Sequence, residues 1–203
     1  EATEWKKPIF VKVAAVHDIG AIAAGISRSS ADAVVIDGFR GGTGAAPKVF
    51  RDHVGIPIEV AISKVDQTLR EQGVRNEISV IASGGIRSSA DLAKSIALGA
   101  DAVYIGTAAL VALGCRVCGN CYRNLCPWGI ATQRPDLVSR LDPEAGAAQV
   151  SNLIHGWTME LGELMGAAGI NSIESLRGNR NRLRGYMLDE GTLKVLDVLP
   201  AGA

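Results

Sequence analysis

The sequence predicts an α/β fold: the C-terminal half, meaning the last four βα units, of a (β/α)8 TIM barrel, followed by an iron–sulfur loop and a helical tail. Three observations predict it. Four short apolar runs, rich in β-branched residues and nearly continuous in hydrophobicity, read as strands of a parallel sheet buried on both faces. Segments of helical period separate them, which is the rhythm of βα units. Each run then ends in small or polar residues, at the strand ends where barrels and doubly wound sheets alike place their chemistry. Closure is less firmly marked than class. If the sheet closes as a barrel, these are strands five to eight, and the first four come from another chain or from sequence outside this one.

The first strand is "PIFVKVAA" (8–15), interrupted near its end by Lys12. A lysine rarely sits buried without a partner, so Lys12 should face a ligand or a carboxylate. "DIGAIAAGISRS" has a helical period and leads to the second strand, "ADAVVIDG" (31–38). A glycine-rich loop, "IDGFRGGTGAAP" (36–47), follows; its length at the strand end suits a loop lying over a bound ligand. The helix "EVAISKVDQTLREQG" then returns the chain to the third strand, "ISVIASGG" (78–85). "SADLAKSIALG" opens on a capping serine, Ser88 or Ser89, and closes on Gly99. The fourth strand, "DAVYIGTA" (101–108), ends in Gly106 and Thr107.

Glycines at the ends of the third and fourth strands let backbone N–H groups approach a phosphate, and the following helix N-termini add free donors. The paired signal, Ser83-Gly84-Gly85 and then Gly106-Thr107, marks a phosphate-binding end of the sheet in the position where barrels often build one. After residue 126 the pattern becomes irregular and proline-rich. It then becomes a long amphipathic helix over 147–169, with Val150, Leu153, Ile154, Trp157, Leu161 and Leu164 at helical spacing, expected to pack on the barrel. His17 lies beside the active-end loop, while His53 and His155, in helical or loop contexts, read as structural or surface residues.

The composition excludes several classes. Twenty-one basic and 21 acidic side chains leave no net charge and no large basic face for nucleic acid. No apolar stretch approaches the ~20 residues of a membrane span, and the first residues lack a signal-peptide pattern. The expected location is therefore cytoplasmic, where clustered cysteines are more often metal ligands than disulfides. All four cysteines fall in "GCRVCGNCYRNLCPWG" (114–129), spaced Cys115-x2-Cys118-x2-Cys121-x4-Cys126 before a proline. Zinc, a disulfide and a redox switch are alternatives, but close spacing ending in Cys-Pro favours iron–sulfur ligation. Three regions follow: 1–112 as half-barrel, 113–133 as cluster loop, and 134–203 as a helical extension packing on the barrel.

The segments "VKVAAVHDIGAIAAG", "IDGFRGGTGAAP", "SGGIRSSADLAKSIALGA", "IGTAALVALGC" and "CPWGIATQ" together resemble the FMN-binding synthase domain of glutamate synthase, in that family's order. The resemblance implies FMN at the barrel mouth beside a 3Fe–4S cluster, with 4Fe–4S as the alternative. Cys115, Cys121 and Cys126 reproduce the family's cluster spacing, and Cys118 is an additional, uncertain fourth ligand. The implied reaction reduces 2-iminoglutarate, formed from 2-oxoglutarate and ammonia, to L-glutamate by hydride from the flavin. Lys12 matches the family's strand-five lysine near flavin and keto acid. Gly41, Gly42, Thr43 and Gly44 match its glycine loop, in which Phe39 and Arg40 replace a polar pair. Ser83, Gly84, Gly85, Gly106 and Thr107 match its FMN phosphate segment. Gln67 matches a family glutamine, and with Arg40 it is a weaker catalytic candidate. The alternative within the resemblance is the FMN subunit of N-methylglutamate synthase, which uses methylamine chemistry, with glutamate among its substrates. No amidotransferase region is evident, so a hetero-oligomer is expected, its other subunits supplying that function, the missing barrel half or the electron donor.

Overall fold

The computed structural model describes residues 7–42 and 46–203. Thr43 and Gly44 lie outside the described residues. Four strands, β1 (Phe10–Ala14), β2 (Ala33–Asp37), β3 (Ser79–Ser83) and β4 (Ala102–Val103), form one parallel sheet in the order β1-β2-β3-β4. Sequential order with every strand parallel requires a crossover between each pair. Helix α1 (Ile19–Ser27) makes the first. Helices α2 (Lys48–His53) and α3 (Ile58–Glu71) lie in the second, and α4 (Ser89–Ala97) makes the third. Ser88 is the cap of α4, its hydroxyl accepting from the Asp91 N–H at 3.2 Å. The short helix α2 was not legible in the sequence, and β4 is shorter than its apolar run; one further rung, Tyr104 N–H to the Ala82 carbonyl at 2.8 Å, extends its pairing.

The two faces of the sheet differ. Val34, Ile36, Val80 and Ala82 point to one side, where they join Ile19, Ala23, Ile62, Val65 and Leu69 of α1 and α3 in the main core. Fully burying an aliphatic side chain there contributes about 1.5–3 kcal/mol. The opposite face carries a small cluster of Ala33, Val35 and Ile81. By strand alternation it also carries Phe10 and Lys12, so β1 reads exposed and half-buried in turn, with Phe10 52% exposed. The register sets Ala14 beside Asp37 and Asp37 beside Ser83, which aligns three strand ends.

At the other end of the strands a charge network fastens the tail. The Asp66 side chain, with no exposure, accepts from Arg70 Nε and Arg75 Nε at 2.8 Å and from Arg180 Nη2 at 2.9 Å. Arg75 also reaches Asp101 at 2.9 Å, and Arg177 reaches Asp101 at 2.7 Å. Burial pushes the Asp66 carboxyl up, but the three guanidinium groups outweigh it and hold the group below its ordinary range.

Helix α5 (Thr107–Ala112) leads from β4 into the cysteine run. Beyond that run come α6 (Pro135–Val138) and the long α7 (Pro143–Ala167), which starts four residues before the expected point. Asp142 caps it, accepting from the N–H groups of Glu144 and Ala145, and Pro143 sits in the first turn. The helix packs on α4 and α5, and Ser89 Oγ donates to Glu160 at 2.6 Å. Trp157 is buried, yet Ile154 and Leu164 are about two-fifths exposed, so the apolar stripe is only partly covered. The chain then forms α8 (Ile173–Leu176), β5 (Arg184–Gly185), α9 (Glu190–Leu196) and β6 (Leu199–Pro200), with β5 and β6 paired in parallel. That second sheet had no sequence signal, because two-residue strands carry no readable alternation. No helix among the described residues is long and apolar enough to cross a membrane.

Candidate active site at the strand ends

Lys12 and Asp37 meet above the sheet. Residues 12, 35 and 37 share one face, so the Lys12 ammonium reaches diagonally across to Asp37 Oδ2 at 3.0 Å. The lysine side chain remains 44% exposed and the aspartate only 10%, which fixes the cation at the mouth with its base held in the wall. The same carboxylate oxygen accepts the Gly42 N–H at 2.9 Å, shaping the loop after β2, while Asp37 Oδ1 is buried with no hydrogen-bond partner among the described residues. Arg40 stands on this loop with a left-handed backbone (φ 67°) and stacks on the Phe39 ring at 4.9 Å.

Gly84 and Gly85, at φ 85° and 82°, turn the chain sharply after β3. At Gly84 a β-carbon would stand 2.6 Å from the Gly38 carbonyl oxygen and 2.8 Å from its nitrogen, so only glycine lets the β2 and β3 loops touch. Gly84→Ala is expected to cost about 1–3 kcal/mol from the backbone conformation alone, with more from the clash, and denaturant unfolding checks it. The backbone N–H groups of Gly84, Gly85 and Gly106 donate to no other described residue. Those free donors sit on neighbouring strand ends, with Thr107 opening α5 beside them, an arrangement suited to a phosphate.

The four cysteines are all free thiols, so no disulfide joins them. All four, together with Thr107, line one enclosed cavity of about 50 Å3, with Trp128 and Ile130 among its other walls. Cys126 is buried, Cys115 and Cys121 are half-buried and Cys118 is exposed. Burial raises the Cys126 thiol's affinity for its proton, but backbone N–H groups of Ala131, Trp128, Ile130 and Gly129 point at the sulfur. On balance they hold it below the ordinary thiol range. The Val117 N–H donates to Cys115 Sγ at 3.3 Å. Backbone donors around sulfur are what a thiolate ligand needs. Among the described residues no three His, Cys, Asp or Glu side chains are gathered as a single metal ion requires.

The conserved region of glutamate synthase matches residues 1–171. The chain belongs to the glutamate synthase family. Relatives within it include the archaeal glutamate synthase (NADPH) of Methanocaldococcus jannaschii, 75% identical over the whole chain. The archaeal-type glutamate synthase (NADPH) of Thermotoga neapolitana is 62% identical, also over the whole chain. In each case the chain spans 40% of the relative's own length. A glutamate synthase large subunit-like protein of Rhizobium meliloti is 38% identical over 87% of the chain and 43% of its own length. Among solved structures, a flavocytochrome b2 variant with pyruvate bound superposes with a TM-score of 0.58 at 19% identity, over 93% of this chain and 36% of that one. The fold is thus α/β with a parallel sheet, similar to that of the flavocytochrome b2 variant.

Within this family member the structure gathers Lys12, Arg40, Gly41, Gly42, Ser83, Gly84, Gly85, Gly106 and Thr107 at the strand ends, with Cys115, Cys118, Cys121 and Cys126 beside them. Gln67 does not join them. It lies well down α3, and its Nε2 donates to the Val195 carbonyl of α9 at 3.0 Å. Two residues had been missed. In sequence Asp37 is one of the polar residues that end the strands, and its pairing with Lys12 depends on a register that only the folded sheet shows. Arg51, on α2, had no readable signal. Its Nη2 donates to the Gly119 carbonyl at 2.8 Å, its own carbonyl accepts the Arg40 N–H at 3.1 Å, and it lines the cysteine cavity. It therefore ties the β2 loop to the cysteine loop.

Proposed function

We propose that this chain is the FMN- and iron–sulfur-binding part of an archaeal-type glutamate synthase, which reduces 2-iminoglutarate formed from 2-oxoglutarate and ammonia to L-glutamate. One observation carries the reading: the cavity lined by all four cysteines shares Thr107 with the strand ends that present the free N–H groups of Gly84, Gly85 and Gly106. A phosphate anchor and a thiolate cradle are thus neighbours in one piece of chain, as a flavin fed by a cluster requires.

When bound, FMN would supply hydride transfer and the cluster single-electron transfer. Gly84, Gly85, Gly106 and Thr107 anchor the phosphate, and Gly41 and Gly42 belong to the loop over the ring. Cys115, Cys121 and Cys126 hold a 3Fe–4S cluster, and Cys118 is the ligand a 4Fe–4S cluster would add. Lys12, steadied by Asp37, offers its ammonium to negative charge, on a substrate carboxylate or at the pyrimidine edge of the flavin. Arg40 is the second candidate for a substrate carboxylate. Residues 1–112 carry the flavin site, 113–133 the cluster loop and 134–203 the extension. The exposed inner face of β1 supports a barrel completed by four strands from elsewhere in the protein or from a partner. The names of the Methanocaldococcus and Thermotoga relatives favour NADPH as electron source and glutamate as product.

Supplying the full-length protein with 2-oxoglutarate and reductant, and either ammonium or methylamine, tests this by product mass: L-glutamate from ammonium is expected, and N-methylglutamate alone would refute it. Lys12→Met is expected to lower kcat by about 10²-fold or more with FMN still bound, and to lower the melting temperature modestly, because Asp37 loses its cation but keeps the Gly42 N–H.

A further inference from the structure

The end of the sheet opposite the mouth holds a second cavity, about 700 Å3 in volume, between the Asp66 network and α9. That is within the ~300–1,000 Å3 of small-molecule sites. Arg70, Arg177, Arg180, Asn179 and Lys194 line it, with Asp197 as its acidic member.

Its charge is unbalanced. Among the described residues, Arg70, Arg75, Arg177 and Arg180 share two carboxylates, Asp66 and Asp101. Both carboxylates are saturated: Asp66 takes three guanidinium groups, and Asp101 takes two together with the Val80 N–H at 2.7 Å. A guanidinium has five N–H donors, so Arg70 and Arg177, whose side chains are about half exposed, keep donors that face solvent and can turn to a ligand. Arg180 is 9% exposed, lines the cavity and keeps a buried Nε without a hydrogen-bond partner. Gly178 makes room for this cluster, since a side chain there would stand 2.7 Å from Arg70 Nη2. Lys194 and Asp197 offset each other, which leaves a surplus of two positive charges partly withdrawn from water. Such a surplus is costly unless an anion answers it.

We propose that this cavity binds a phosphorylated small molecule, its phosphate held by Arg70, Arg177 and Lys194 and its organic part lying on Leu193, Val198 and Leu199. A phosphate monoester carries about −1.5 to −2 at neutral pH, which matches the surplus, whereas a single carboxylate answers half of it. Planar guanidinium forks suit phosphate oxygens.

The test is calorimetric titration of the full-length protein with adenosine 5′-monophosphate, inorganic phosphate, adenosine and 2-oxoglutarate. Binding of the monophosphate is expected, weakened about tenfold by Arg177→Gln and by Lys194→Gln, with adenosine silent. Lys194→Gln leaves the Asp66 network intact, so its result stands even where Arg177→Gln disturbs folding. Monophosphate binding that survives Lys194→Gln unchanged belongs to another site and overturns the proposal. So does a lack of binding at millimolar monophosphate, or 2-oxoglutarate binding that Lys194→Gln weakens more than it weakens monophosphate binding.

Discussion

Cys126→Ser is expected to strip iron from the full-length protein while leaving FMN bound. Cys126 is the buried member of the four, and backbone N–H groups aimed at its sulfur already favour the thiolate that iron requires. A serine hydroxyl at that depth keeps its proton and presents a poor ligand to iron. Loss of an outer partner of a metal ligand alone costs about 10–100-fold in affinity, so loss of the ligand itself exceeds that. The flavin contacts assigned to Gly84, Gly85 and Gly106 come from other segments and should survive. Cys118→Ser is the companion. Because Cys118 is exposed and supernumerary to the family spacing, its replacement should leave iron content and the electron paramagnetic resonance signal of an oxidised 3Fe–4S cluster in place. Iron and sulfide analysis with that spectrum checks both variants, and equal retention of iron in the two would remove Cys126 from the ligand set.

Asp66→Asn should be the most destabilising single change in the fold. It leaves three guanidinium groups around a neutral amide at a side chain with no exposure. Breaking a buried charged group of this kind costs about 3–5 kcal/mol, or a melting temperature lower by roughly ten degrees in a chain this size. The network also holds the segment around Arg177 and Arg180 to the sheet, so tail and sheet should loosen together. The pH dependence follows from the lowered carboxyl of Asp66. The group binds its proton less readily folded than unfolded, so its stabilisation is complete above the unfolded value near ~4. It is lost as pH falls through the lower folded value. Denaturant unfolding of both proteins should show a wide gap at neutral pH that narrows in acid.

Much of this was legible in the sequence for physical reasons. Central parallel strands are buried on both faces, and Val34, Val35, Ile36, Val80 and Ile81 show it as unbroken apolar runs. The turns at Gly84 and Gly85 were legible because left-handed backbone selects glycine. The cysteine loop stood out because its four thiols fall within twelve residues. What stayed hidden depends on long-range geometry. Arg51 resembles any helical arginine until α2 is folded against the cysteine loop. Gln67 matched a motif, but helix α3 carries it down toward α9. The parallel pairing of β5 and β6 joins residues too few to leave a pattern, and the arginine cavity is assembled from segments far apart in sequence, α3, α9 and the stretch after α8.

The central claim is that one stretch of chain holds a flavin phosphate anchor next to an iron–sulfur cradle. Cofactor analysis of the anaerobically purified full-length protein tests it most directly, joined to reoxidation of its reduced flavin by 2-oxoglutarate and ammonium. The account predicts bound FMN absorbing near about 450 nm, iron lost in Cys126→Ser, and reoxidation that yields L-glutamate. A protein that carries neither flavin nor iron, or whose reduced flavin is indifferent to 2-oxoglutarate and ammonium together, would contradict it.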